Sequence, residues 1–327
     1  CLGVLAPLSS SFWAILAARF LMGLGGALVV VYFTPIVMEW FSGEERVTVN
    51  GLNFVSISVG MTFGLAFTEE IRALLGGSWR RTLLLYSSVS IVMFFLWLLL
   101  GKERGGSVRD AAGSGDVKSG QLRQPDYKGS IGQALRDKNT WKLILCYFGL
   151  LSVYLVMITY APQYYRRSGV FEAASAVYLA PSVALISSIP ATFLGIWISR
   201  RTGLRIPLLR ISGAVIIPGV LLMFFSHRVV LVFAGAVLTG FGMFFWRPAL
   251  FSIPQELPGS TPATSGYMMS VFWAVCYTLA TAATWLTGRI IEAAGNYATG
   301  FVLVAVMSTS LLIGSFTVPE TGRRNTG

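Results

Sequence analysis

Polar residues in this chain fall in short clusters, separated by apolar runs of about 20 residues, the length that crosses a ~30 Å hydrocarbon layer at 1.5 Å per helical residue. Cys1–Leu8 is apolar and Ser9–Ser11 forms a short polar turn. Phe12–Met38 predicts a helix that carries one guanidinium, Arg19, followed by the small residues Gly23, Gly25 and Gly26. Glu39–Arg46 is a polar loop. In it Ser42, with Glu45 three residues on, predicts a capping box and the start of a third helix reaching about Thr68. Gly60 and Gly64 give that helix a small-residue face. Glu69–Arg72 and Gly76–Arg81 read as a polar connection, and Thr82–Leu100 as a fourth helix that is apolar all round.

The pattern then breaks. Gly101–Ser130 is rich in Gly, Ser and charge and has too few large apolar residues to bury a core, so it reads as a flexible linker. Ile131–Asn139 predicts a short surface amphipathic helix. Six further spans are predicted at about Trp141–Ala161, Ala174–Ile198, Ile206–Ser226, Val229–Ile253, Thr264–Gly288 and Gly300–Thr317. Pro181, Pro190, Pro218 and Pro248 fall inside them, either as tolerated bends or as kinks that shape a cavity.

Composition supports a multi-span membrane protein: 54% of residues are apolar and 12% charged, against about 25% charged in a soluble domain. The net charge of +11 would suggest nucleic acid in a soluble protein, but here the basic residues lie between spans. They set orientation instead, and no nucleic-acid partner is expected. With the linker inside, 15 Lys and Arg lie on the inner side and seven on the outer, which puts the linker and the C-terminus in the cytoplasm and the chain in the cell membrane. Three cysteines show no metal or disulfide spacing, so neither metal nor cofactor is expected. His227, the only histidine, sits in a short connection as an interfacial residue. The chain begins at Cys1 inside an apolar run, without a charged leader, and reads as the tail of a helix that starts upstream.

Two sets of helices around a charged linker resemble the major facilitator superfamily. Arg19–Ala27 is similar to the R-x-x-x-G-x-G pattern of that family's fourth helix, and Trp40–Arg46 to the loop after it, with Ser42 in place of proline. Trp197–Arg205 is similar to the eighth-to-ninth loop signature, with Arg200 replacing an aspartate. Glu256–Gly259 with Pro262 and Gly266 resembles the tenth-to-eleventh loop, and Val318–Gly322 the motif after the twelfth helix. The resemblance implies an all-α membrane protein, a major facilitator-type bundle of two helical halves lacking the first two helices and most of the third. It implies that residues 1–100 are the remainder of the N-terminal half, 101–140 the cytoplasmic linker and 141–327 the C-terminal six-helix half. It also implies a midplane substrate site and alternating access.

Candidate chemistry follows. Arg19 lies about 10 Å inside its helix end by rise per residue, and cannot titrate near neutral pH. It either binds an anion or holds a carboxylate ionised for coupling, or it is a structural arginine bonded to carbonyls. Arg247, just before Pro248, either snorkels or pairs structurally, or binds an anion. Gln163 and Tyr277, with Tyr147, Tyr154, Tyr160 and Trp273, are candidates to line a cavity, against the alternative of plain core or belt residues. Glu39 and Glu256 end the fourth- and tenth-like helices and are either latches, with Arg200, Arg201 and Arg205 as candidate partners of Glu256, or solvated, screened charges. Gly23, Gly25, Gly26, Gly60 and Gly64 are candidate helix-packing positions. No G-x-x-x-x-G-K-[ST], H-E-x-x-H or G-x-S-x-G motif is present, so the chain reads as a non-enzymatic monomer in the bilayer. It would be a secondary active or facilitative transporter of a small, anionic organic solute, with or without proton coupling. The alternatives are a receptor or scaffold of the same fold, and a solute or drug exporter. The drug-antiporter pattern G-P-x-x-G-G is absent after Gly60, against the last.

Overall fold

The computed structural model describes residues 4–9, 11–101, 130–171 and 178–322, without the side chains of residues 43 and 44. Most of the predicted linker, Cys1, Glu172, Arg323 and Arg324 lie outside the described residues. What is described is helical: α1 (Leu5–Leu8), α2 (Phe12–Trp40), α3 (Gly43–Leu74), α4 (Trp79–Leu100), α5 (Ile131–Arg136), α6 (Lys138–Ser168), α7 (Leu179–Thr202), α8 (Ile206–Phe225), α9 (Val229–Phe244), α10 (Arg247–Glu256), α11 (Pro262–Ala294), α12 (Tyr297–Ser308) and α13 (Ser310–Ser315). Among the described residues, nine helical stretches are long and apolar enough to cross a membrane, with α9 and α10 counted as one span and α12 and α13 as another. They match the three spans predicted before the linker and the six after it.

Boundaries depart from the expectation by up to seven residues, as where α6 runs to Ser168 rather than Ala161 and α11 to Ala294 rather than Gly288. The quartet Glu69–Arg72, predicted as connection, is the last part of α3. Glu69 and Arg72 stand one turn apart and pair at 2.5 Å, so polar residues with good helix propensity extend the helix to Leu74. The capping box at Ser42 forms by half. Ser42 donates both its backbone N–H (2.9 Å) and its hydroxyl (2.8 Å) to the Glu45 carboxylate, while the Glu45 N–H goes to the Ser42 carbonyl (3.1 Å) rather than to the hydroxyl.

The chain forms two compact units, Cys1–Phe33 with Phe67–Lys128, and Thr34–Ala66 with Gly129–Gly327. In the first, α1 lies against α4, and Arg80 donates to the Ser9 carbonyl at 3.4 Å. Of α4 only Thr82 is buried; the rest, largely apolar beyond its first turn, is half-buried or exposed.

The second unit holds the core. Its tightest contacts are made by glycines. α9 packs on α8 and α7 through Gly235, Gly240 and Gly242, with Gly219 of α8 answering. At each of the four, an added Cβ would fall closer than 3.0 Å to a neighbouring helix, at Gly240 against the Ala184 carbonyl. In a membrane, where apolar surface gains nothing by leaving lipid, such close backbone approach is the main source of helix association. The prolines separate by position. Pro190 and Pro218 stay inside α7 and α8. Pro181 sits in the first turn of α7, where its missing N–H costs no helical bond. Pro248 alone of those four stands at a break, between α9 and α10.

Candidate functional site

The break at Pro248 builds the first part of the site. Pro248 has no N–H to give the carbonyl four residues back, and here, unlike at Pro190 and Pro218, the span breaks. α9 ends at Phe244, Phe245 and Trp246 form a turn, and α10 restarts at Arg247. Gly195 of α7 leaves the space into which the Phe245 carbonyl projects. Arg247 then folds back along the break, and its Nε donates to the Met243 carbonyl at 3.1 Å. Its side chain does not reach out towards a helix end, as snorkelling required; the residue is 6% exposed. Its guanidinium carbon lies 3.7 Å from the ring centre of Phe244, 5.0 Å from Phe54 and 5.8 Å from Tyr147. A desolvated cation over an aromatic face gains about 2 kcal/mol, which offsets part of the cost of burying it. It makes no ion pair with any described carboxylate.

Around Arg247 the aromatic residues form one cluster. Tyr147 stacks on Phe272 (5.2 Å, 29°) and meets Trp246, Phe251 and Trp273 edge-on. A second stack runs Phe251–Trp273–Tyr277, with centroid spacings of 5.5 and 5.6 Å. It leads from buried Phe251 to Tyr277, which is exposed. Tyr147, Trp273 and Tyr277 are thus brought together. Tyr154 meets Met61 of α3, and Gln163 is exposed on α6 and bonds back to the Thr159 carbonyl.

One face of α3 completes this region. Asn50 is 2% exposed and donates to Gln255 Oε1 (3.3 Å) and Ser252 Oγ (3.5 Å) of α10. One turn on, Phe54 packs on Phe251 at 4.7 Å. Between them Gly51 faces Ile196 and Pro248 so closely that an added Cβ would overlap the Ile196 side chain. Sequence reasoning missed Asn50, Phe54, Ser252 and Gln255. The available signal was Asn50 and Phe54 at i, i+4 around a glycine, facing a proline-bracketed segment.

At the C-terminal end of α10 lies a charge network. Glu256 takes Arg205 at two points, Nη2 to Oε1 (2.7 Å) and Nε to Oε2 (3.2 Å). Arg205 Nη1 donates to the Ser199 hydroxyl and carbonyl at 2.6 and 3.0 Å. Thr321 donates its hydroxyl to Glu256 at 2.8 Å. Glu320 receives the backbone N–H groups of Arg205 and Ile206 at 2.8–3.0 Å, a carboxylate on the free donors of the α8 N-terminus. Gly203 turns the chain between α7 and α8 with φ of +70°, a conformation that a side chain disfavours. A cavity of about 1220 Å³ opens here, lined by Val47, Trp197, Arg200, Arg201, Arg205 and Glu256 among others. Of the three arginines considered for Glu256, only Arg205 pairs with it. Arg200 reaches Thr48 at 3.4 Å, and Arg201 lies over the Trp197 ring.

Arg19 is exposed on α2, and Glu39 is exposed near the end of the same helix. A Cβ built on Gly23, Gly25, Gly26, Gly60 or Gly64 meets nothing within 4 Å; close contacts are made instead at other glycines, among them Gly51, Gly149, Gly195, Gly235, Gly240 and Gly314. Among the described residues no group of His, Cys, Asp or Glu is placed to hold a metal ion.

A family model for the Major Facilitator Superfamily matches residues 1–284. An uncharacterized protein of Campylobacter jejuni subsp. jejuni serotype O:2, Cj0987c, is 28% identical over 242 residues, which cover 73% of this chain and 70% of that protein. An uncharacterized protein of Mesomycoplasma hyopneumoniae is 19% identical over 322 residues; the match covers 88% of this chain and spans 63% of that relative's length. The fold is similar to that of the Escherichia coli fucose:proton symporter FucP, with a TM-score of 0.66 at 15% identity, covering 97% of this chain and 81% of that one. For FucP in the outward conformation the TM-score is 0.69, again at 15% identity, with 97% and 80% covered.

Proposed function

The chain belongs to the major facilitator superfamily, and we propose that it carries a small organic anion across the membrane by alternating access. The observation that carries the anion is Arg247, a fixed cation buried in a span without an acidic partner among the described residues. An unpaired charge in the membrane interior costs several kcal/mol and marks a functional position. Arginine stays charged at all working pH values, so it holds an anion and cannot itself carry a proton. Arg19 is the second cationic group of this reading, for binding or coupling, and Gln163 and Tyr277 lie on the route. No covalent chemistry is assigned to any residue.

The linker and both charge-rich loops, with Arg46 and with Arg200, Arg201 and Arg205, face the cytoplasm in this reading, from the two-to-one excess of Lys and Arg on that side. Residues 1–100 and 141–327 belong to the two moving halves and 101–140 tether them. Contacts of Asn50, Gly51 and Phe54 with α7 and α10 close the cytoplasmic side, and the Arg205–Glu256 pair holds the α7–α8 loop against α10 while they do. Glu39, Arg200 and Arg201 act at the same gate.

Uptake into proteoliposomes tests the reading, with a panel of organic acids, sugars and amino acids and with or without an inside-alkaline pH gradient. Accumulation of one acid only under the gradient establishes proton symport. Equilibration without accumulation establishes a facilitator. Flux of neutral solutes alone removes the anion, and binding without any flux removes transport in favour of a receptor.

A further inference from the structure

Around Arg247 several polar groups find no partner among the described residues. Of its five N–H groups, Nε serves Met243, and the Nη atoms donate to no described residue. The indole Nε1–H of Trp246, on a residue that is 0% exposed, has no acceptor. Tyr147 is 2% exposed, and its hydroxyl bonds to no described residue. Its ring lies 5.7 Å from Trp246 and 5.8 Å from the Arg247 guanidinium carbon, so the three donor residues adjoin one another. Buried donors are nearly always satisfied in folded proteins, and leaving one unpaired costs about 1–3 kcal/mol. The Trp246 indole and the Arg247 Nη groups can only donate and the Tyr147 hydroxyl can donate as well, so the three together suit a ligand that accepts.

The walls narrow the ligand further. The face of the guanidinium is already occupied by Phe244, so its free edge is what remains, a fork that fits a carboxylate at two points. Arg247 is the one guanidinium over these rings among the described residues, enough to neutralise one negative charge. The surroundings are ring faces and edges, from Phe54 and Phe251 through Trp273 to exposed Tyr277. Flat apolar groups gain from offset or edge-on contact with such rings beyond the area they bury.

We infer that this cluster is a recognition site for a monocarboxylate borne on a flat, unsaturated ring, its carboxylate held by Arg247, Tyr147 and Trp246 and its ring laid in the aromatic stack. The inference deepens the transport reading and rests on it for the identity of the cargo, but binding is measurable by itself.

The test is titration of the purified protein in lipid nanodiscs with benzoate, followed by tryptophan fluorescence and by calorimetry. Cyclohexanecarboxylate serves as the puckered control, phthalate as the dianion and benzyl alcohol as the uncharged ring. Benzoate is expected to bind, cyclohexanecarboxylate about tenfold more weakly, and phthalate and benzyl alcohol not measurably. Arg247→Gln should weaken benzoate by at least ~30-fold, the usual loss when one partner of a buried charged pair is removed. Tyr147→Phe keeps the ring and the packing, so it remains informative if the arginine variant fails to fold; a loss of about tenfold is expected. Equal benzoate affinity in a folded Arg247→Gln protein or in Tyr147→Phe would overturn the site, and equal affinity for cyclohexanecarboxylate would overturn the flat ring. If proteoliposomes accumulate another acid while benzoate neither binds nor competes, the ring carboxylate is wrong and transport stands. If benzoate binds with these variant effects but no solute moves, the site stands and transport falls.

Discussion

Arg205 and Glu256 meet at two points, 2.7 and 3.2 Å, with side chains only 9% and 17% exposed. Removing one member leaves the other buried and unpaired, which costs about 3–5 kcal/mol. Arg205→Ala should therefore lower the unfolding free energy by about 3 kcal/mol. Arg200→Ala, at an exposed residue, should change it by less than about 0.5 kcal/mol. A double-mutant cycle with Glu256→Ala should give a coupling above ~1 kcal/mol that persists in high salt, since a buried pair is poorly screened. Additive effects would show that the pair contributes nothing of its own.

Asn50 touches Ser252 and Gln255. Under the proposed alternating access, α3 and α10 must part. A short thiol cross-link between cysteines at Asn50 and Ser252 should stop uptake, and reduction should restore it. Full uptake by the cross-linked protein would mean that this contact stays closed throughout the cycle.

Pro248 sets the position of Arg247. Pro248→Ala restores an N–H and removes the ring clash, so the span can run straight. Stability should hold or rise, because an interior proline costs about 3 kcal/mol in a regular helix. Uptake should fall at least ~10-fold, because the guanidinium leaves its place over Phe244 and near-contact geometry governs recognition. Unchanged uptake would show that the break is not needed.

Gly240 faces the Ala184 carbonyl and the Ser187 hydroxyl, with no room for a methyl group. Gly240→Ala should cost about 1–3 kcal/mol through displaced backbone, despite the better helix propensity of alanine. Thermal unfolding in detergent would check this; stabilisation would mean that α9 moves away from α7 freely.

Arg19 is exposed on α2. As the second cationic group of the transport reading, Arg19→Ala should abolish uptake while the protein still reaches the membrane. Retained uptake would return Arg19 to a structural role.

The spans were legible because each is specified by its own composition. A run of about 20 apolar residues between polar clusters means the same thing wherever it stands, and all nine among the described residues were found, with ends within seven residues. Local chemistry moved only the ends, as where Glu69 and Arg72 pair along the helix rather than leaving it. The motifs Trp197–Arg205, Glu256–Gly259 and Val318–Gly322 were visible separately, but their meeting was not. Arg205 was one of three arginines that could have answered Glu256, and Glu320 and Thr321 lie more than 60 residues beyond it.

The sequence by itself determined the membrane-spanning fold class, the number of spans and the presence of an arginine next to a proline. Only the tertiary structure decided what that arginine does. It folded Arg247 inward under Phe244, set Asn50 and Phe54 against α10, and put close helix contact at Gly195, Gly235 and Gly240 rather than at Gly23 or Gly60. The reason is physical. Hydropathy is a sum over neighbours in the chain, whereas pairing depends on which faces of distant helices meet, and in an apolar helix every face looks alike to the sequence.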